Sequence, residues 1–181
     1  MSFVHFCSLV SESIRRIPRF FIFFGLIFLG VGFRGTPVHA ASFYLSPSAS
    51  SYTIRQNFSI NVMVSSADQA LNAFSGTVSF PSDKLSISSI SKSGTIVSLW
   101  VQEPSFSNSA GTLHFEGMVL NPGYKGNAGK VLTINFSALR EGSAAVQFSS
   151  GSILANDGEG TDITSGLGKA AFTIKPSAPL P

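Results

Sequence analysis

Three observations predict an all-β fold built as two facing antiparallel sheets, a β-sandwich. Short segments alternate apolar and polar residues with a period of two, and Gly, Pro, Asn and Asp cluster between those segments. Phenylalanine, nine of whose 17 occurrences lie beyond residue 40, dominates the apolar positions. Beyond residue 40 no long stretch carries a helical period. Alternation gives each strand one buried and one open face, which fits antiparallel pairing better than the near-continuous apolar strands of a parallel sheet.

The first segment in chain order is not a strand. Arg15, Arg16 and Arg19 precede the apolar run Phe20 to Phe33, and Val38-His39-Ala40 supplies a small-x-small site before Ala41. This reads as an export signal over residues 1–40, cleaved to leave a domain that starts at Ala41. The run is shorter than the roughly 20 residues a spanning helix needs, and Arg34 and Pro37 interrupt it; retention as an uncleaved anchor is the alternative. Pro18 and Arg19 follow the Arg15-Arg16 pair where a twin-arginine signal continues with apolar residues, so ordinary export is expected.

Removing residues 1–40 changes the electrostatics. Four of the 12 basic residues and one of the nine acidic ones lie in that segment, so eight of each remain and the domain is neutral. The remaining Lys and Arg stand singly, which removes the signature of nucleic-acid binding. Cys7, the only cysteine, goes with the signal, so neither a disulfide nor a thiolate metal site is expected. His114 is the one histidine beyond residue 40, too few for a multi-histidine metal site.

The strands follow in order. Phe43 to Ser46 is a short candidate. Phe58, Ile60, Val62 and Val64 form one apolar face, then Phe74, Val78 and Phe80 another. Leu85 to Ile90 and Val97 to Gln102 are further short candidates, followed by Leu113, Phe115 and Val119, and by Leu132, Ile134, Phe136 and Ala138. Val146 and Phe148, Ser152 to Ala155, and Phe172 with Ile174 complete the set. Burying each Phe contributes about 1.5–3 kcal/mol, which makes these rings the main source of stability. Gly76 and Gly117 fall at inward positions, where a missing side chain admits a large neighbour or marks a bulge. The turns are punctuated by Pro81-Ser82-Asp83, Asn108 to Gly111, Asn121-Pro122-Gly123, Gly126 to Gly129 and Gly158-Glu159-Gly160. Residues 176–181, Pro-Ser-Ala-Pro-Leu-Pro, read as a linker or tail after a domain of residues 41–175.

The stretch Leu71-Asn72-Ala73-Phe74-Ser75-Gly76-Thr77-Val78-Ser79-Phe80-Pro81-Ser82-Asp83-Lys84-Leu85 resembles the cohesin family, in which a strand ending in an aromatic residue meets a Pro/Asp turn and an aliphatic strand. The resemblance continues through Gly111 to Phe115, Gly129 to Phe136, Glu141 to Phe148 and Gly151 to Asp162, and it covers about Phe43 to Ile174. It implies a nine-stranded antiparallel sandwich of jelly-roll topology, related in fold to carbohydrate-binding modules. The implied function is that of a non-catalytic, secreted or cell-surface module that binds a dockerin-type partner. By strand order, the partner face carries Ala73, Ser75, Thr77 and Ser79, then His114, Glu116 and Met118, then Ala145 and Gln147. The resemblance implies no cofactor and no metal of the domain's own.

Other candidates are weighed from the residues. His114 and Glu116, two apart on a strand, share a face, but acid–base catalysis needs a pocket that an open sheet does not supply. Asp157, Glu159 and Asp162 lie in a Gly-rich loop, yet the spacing lacks the acid at the twelfth position of a calcium loop, and a capped turn is the better reading. Trp100 and Tyr124 are the candidates for an alternative polysaccharide site, and a structural spacer in a surface protein is the remaining alternative. Asn57-Phe58-Ser59 and Asn135-Phe136-Ser137 match the glycosylation pattern but sit within predicted strands. No P-loop, GxSxG, HExxH or CxxC motif follows residue 40, which argues against an enzyme. A membrane contact is expected only through the signal segment or a downstream anchor.

Overall fold

The computed structural model describes residues 40–177, which contain ten strands and no helix. The expected export signal, but for Ala40, and the end of the Pro-rich tail lie outside the described residues. The strands are β1 (Ala41–Ser46), β2 (Ala49–Thr53), β3 (Asn57–Ser79), β4 (Leu85–Ser91), β5 (Leu99–Ser107), β6 (Thr112–Met118), β7 (Tyr124–Ala138), β8 (Gly142–Ala155), β9 (Thr164–Leu167) and β10 (Lys169–Lys175).

The 23-residue β3 belongs to both layers. Its first half pairs with β1 and β7, which makes a back layer ordered β9, β1, β3, β7, β4. Its second half pairs with β6 and β8, which makes a front layer ordered β8, β3, β6, β5. β10 lies antiparallel to the first half of β8 and parallel to β2. The two segments expected as separate strands around Phe58–Val64 and Phe74–Phe80 are thus one strand. It bends where Ala67 and Asp68 are exposed and the buried Ser66 hydroxyl donates to the Gln69 carbonyl.

The alternating apolar residues meet between the layers. Phe43 of the back layer approaches Phe74 and Phe115 of the front layer edge-on at 5.9 Å and stacks on Phe148 at 5.0 Å. Toward the other end Tyr52 stacks on Phe58 at 3.8 Å, and Phe58 packs against Phe136 and Phe172. The inward assignments for Phe74, Phe115 and Phe136 hold: each is at most 2% exposed. Gly76 and Gly117 are packing positions, the first beneath Phe115 and the second beneath Val97 and Phe74.

The structure has ten strands where the resemblance implies nine: Val146–Phe148 and Ser152–Ala155 also fall in one strand, β8, while β2 and β9 are strands that alternation did not mark. In β2 every side chain but Tyr52 is exposed, and Tyr52 packs on the core; β9 has four residues and no buried one. Pairing with β10 and β1 makes them strands. β7 also starts earlier than alternation predicts. A register shift opposite Val62 and Met63 buries the adjacent Val131 and Leu132 together, which interrupts the period of two.

Candidate functional site

The outer face of the front layer is built by direct cross-strand pairing, which puts paired side chains on the same side. Its four rows run from β8 through β3 and β6 to β5. The first is Leu154, Ala73, Met118 and Leu99; the second Ser152, Ser75, Glu116 and Gln102. The third is Ser150, Thr77, His114 and Ser105; the fourth Gln147, Ser79, Thr112 and Ser107. The face therefore grades from apolar at one end to polar at the other.

At the apolar end a hollow of about 310 Å³ has Phe74 and Gly117 as its floor, with Ala73, Ser75, Val101, Glu116, Met118, Ser152 and Leu154 around it. Three exposed apolar side chains stand at this end: Leu99 (54%), Val101 (56%) and Leu120 (61%). Leu120 is held there because its N–H bonds the Ser98 hydroxyl at 3.2 Å, while the Ser98 N–H bonds the Met118 carbonyl at 2.9 Å.

Glu116 is the only carboxylate in the four rows, and they contain no Lys or Arg. Glu103, in the irregular middle of β5, is paired with Lys92 at 2.7 Å. Beside the second row, Asp162 accepts the Ser152 hydroxyl at 3.0 Å and the Thr164 N–H at 2.8 Å. Hydrogen bonds from Thr164 and Ser152 hold its carboxyl below the ordinary value of 3.8, so it is ionised at neutral pH. Lys169 stands opposite Gln147 at the polar end. His114 Nδ1 lies 3.0 Å from the Thr77 hydroxyl.

Of the residues expected on the partner face, the structure gathers Ala73, Ser75, Thr77, Ser79, His114, Glu116, Met118 and Gln147 on one layer. Ala145 is exposed but pairs with Ala171 of β10; the part of β8 beside β3 runs from Gln147 to Ala155. Ser150, Ser152 and Leu154 occupy that strip instead. They were missed because β8 shifts register between Phe148 and Ser150, and a bulge moves the outward parity by one residue. Val101 and Leu99 were missed because an irregular strand such as β5 gives no period to read.

The alternative sugar residues are engaged elsewhere. Trp100 is half-buried against the core, with the Lys92 ammonium 6.0 Å from its ring centre. The Tyr124 ring fills the space beside Gly126 and Gly129, and its hydroxyl accepts the Ala128 N–H at 3.1 Å. In the loop, Asp157 accepts the Glu159 N–H at 2.9 Å, a capped turn. Asn135 accepts from Ser59 at 2.7 Å and donates to Ser89 at 2.9 Å, and Asn57 accepts from Ser137, so both amides belong to a polar ladder on the back layer.

No family model and no curated sequence matches the chain. Solved structures do. The solution structure of CaCohA2 from Clostridium acetobutylicum is similar at 11% identity and TM-score 0.62, over 76% of this chain and 92% of that one. A non-cellulosomal cohesin from Archaeoglobus fulgidus is similar at 14% identity and TM-score 0.60, over 75% of this chain and 91% of that one. The OlpC cohesin of Clostridium thermocellum, solved as a type I cohesin–dockerin complex, is similar at 8% identity and TM-score 0.62, over 78% and 98%. The chain has a cohesin-like fold.

Proposed function

We propose that this chain is an exported, non-catalytic recognition module that binds a dockerin-type protein partner through the outer face of its front layer. One observation carries the reading: that face is open, lined mostly by small neutral side chains, and ends in a hollow with exposed Val101 on its wall and exposed Leu99 and Leu120 at the same end of the face. Exposed apolar side chains gathered at one place mark protein interaction sites. Small residues along β3 let a partner backbone approach closely. The solved cohesin–dockerin complexes of the same fold support the partner class. Export is supported by the basic and apolar pattern of residues 15–40, and the recognition domain is assigned to residues 41–175 with 176–181 as linker.

The face is poorly suited to catalysis. His114 meets a threonine hydroxyl, and no enclosed site surrounds it to exclude water from a reacting group.

The test is calorimetric titration of the full chain with a panel of recombinant dockerin modules, set beside the double variant Thr77→Arg, Glu116→Arg. Both sites face outward, so stability should shift by only about 0.5 kcal/mol per site while binding is lost. Full affinity in the double variant, or retention by polysaccharide with no dockerin bound, would refute this reading.

A further inference from the structure

We infer that the free edge of β4, on the back layer, is a docking site for the β4 strand of a second copy of this chain, and that the side chain of Asn108 holds it shut.

Asn108 opens the turn between β5 and β6, and its amide lies against the main chain of Ile87 in β4. The Ile87 N–H donates to Oδ1 at 2.8 Å, and Nδ2 donates to the Ile87 carbonyl at 3.0 Å. A carboxamide offers the same donor and acceptor as a peptide group, so this pair reproduces what a neighbouring strand would present. In an antiparallel ladder the N–H and C=O of one residue point to the same side. Ile87 therefore turns its main chain away from β7, the strand that β4 pairs with in the back layer. Ile90 does the same. It stands opposite Ile134 as Ile87 stands opposite Phe136, two residues apart on β7, because a bulge absorbs the extra residue of β4.

These two positions make the edge self-complementary. An antiparallel pairing of two β4 strands, about a two-fold axis between Ser88 and Ser89, sets Ile87 opposite Ile90 of the second copy and Ile90 opposite Ile87 of the second copy. Each pair can then exchange both of its main-chain hydrogen bonds. The side chains match by face as well: Ile87 and Ile90 both pack toward the core, and Ser86 meets Ser91 on the outer side. Leu85 to Ser91 holds no charge and no proline, the residues that ordinarily keep an edge strand from adding another. β5, at the margin of the front layer, has Glu103, Pro104 and two register shifts instead. On β4 the amide of Asn108 takes over that guarding role, since it and a second strand cannot both occupy Ile87.

Sedimentation velocity of the exported protein tests the site, with thermal melts of every variant alongside. We expect Asn108→Ala to dimerise at least tenfold more tightly than the parent. Asn108→Asp keeps an acceptor for the Ile87 N–H but sets an oxygen against its carbonyl, so it should associate to an intermediate degree and carries the same test if the alanine variant does not fold. Ser88 is exposed, and adding Ser88→Lys brings two ammonium groups beside the axis. That change should restore the monomer at low salt, and the dimer should return at high salt as the charges are screened. Folded Asn108 variants that stay monomeric, or that associate regardless of Ser88→Lys, would overturn the docking site. If neither Asn108 variant folds, Asn108 is a strut of the fold and its role as a guard is overturned.

Discussion

Gly76 and Phe115 are cross-strand partners in the front layer, and the phenyl ring lies over the place where Gly76 would carry a side chain: a Cβ there would sit 2.5 Å from Cζ. The ring in turn meets Phe43 of the back layer, so it has no free direction in which to retreat. Gly76→Ala should cost about 1–3 kcal/mol through overpacking. Adding Phe115→Leu should return part of that loss, a coupling that a double-mutant cycle by urea unfolding will measure. Strictly additive effects would mean that the two positions do not touch in solution.

Phe43 is the hub that joins the layers, with Phe74, Phe115 and Phe148 all around it. Phe43→Ala should therefore cost about 3–5 kcal/mol. Phe106, on edge strand β5 and 40% exposed, serves as the control, with a change to Ala expected within about 0.5 kcal/mol. Equal shifts in melting temperature would contradict the assignment of layers.

Asp162 links stability to acid. Its folded carboxyl titrates below 3.8, so its contribution is complete above that value and disappears as pH falls through the lower folded value. Asp162→Ala should cost about 1–2 kcal/mol at neutral pH, from the lost bonds to Thr164 and Ser152. The gap between variant and parent should narrow in urea titrations taken toward about pH 3. A gap independent of pH would mean that the carboxylate charge is irrelevant there.

Trp100 and Tyr124 should behave as packing residues. Trp100→Ala should lower the melting temperature and leave mobility in soluble polysaccharide gels unchanged, since its ring lies against the core beneath Lys92. Tyr124→Ala should destabilise in the same way by emptying the space beside Gly126 and Gly129. Sugar-dependent retardation that vanishes in either variant would revive the polysaccharide site.

Alternation read the core well wherever a strand has one face buried along its whole length. Phe58 to Val64, Leu113 to Val119 and Leu132 to Ala138 all point inward as the period requires. It failed where pairing rather than burial makes the strand. β2 is exposed along most of its length and is defined by its bonds to β10. The same limit shaped the candidate site. The face positions on β3 and β6 follow from simple parity, whereas Ser150, Ser152 and Leu154 depend on a bulge in β8. Bulges arise from the match between two strands, and one strand's sequence records only half of that match.

The parallel pairing of β2 with β10, over Ala49↔Ala171 to Thr53↔Lys175, sets how the domain responds to tension. The opening strands and the closing strands run in the same direction, and β1 lies parallel to β9 as well. A pull applied through residues 41 and 175 is therefore directed along these strands in opposite senses, and it loads the inter-strand bonds together in shear instead of opening them one after another. For a module held in a chain between other parts, the seam that joins its two ends would be the one that resists extension, while the front face stays outside the line of force.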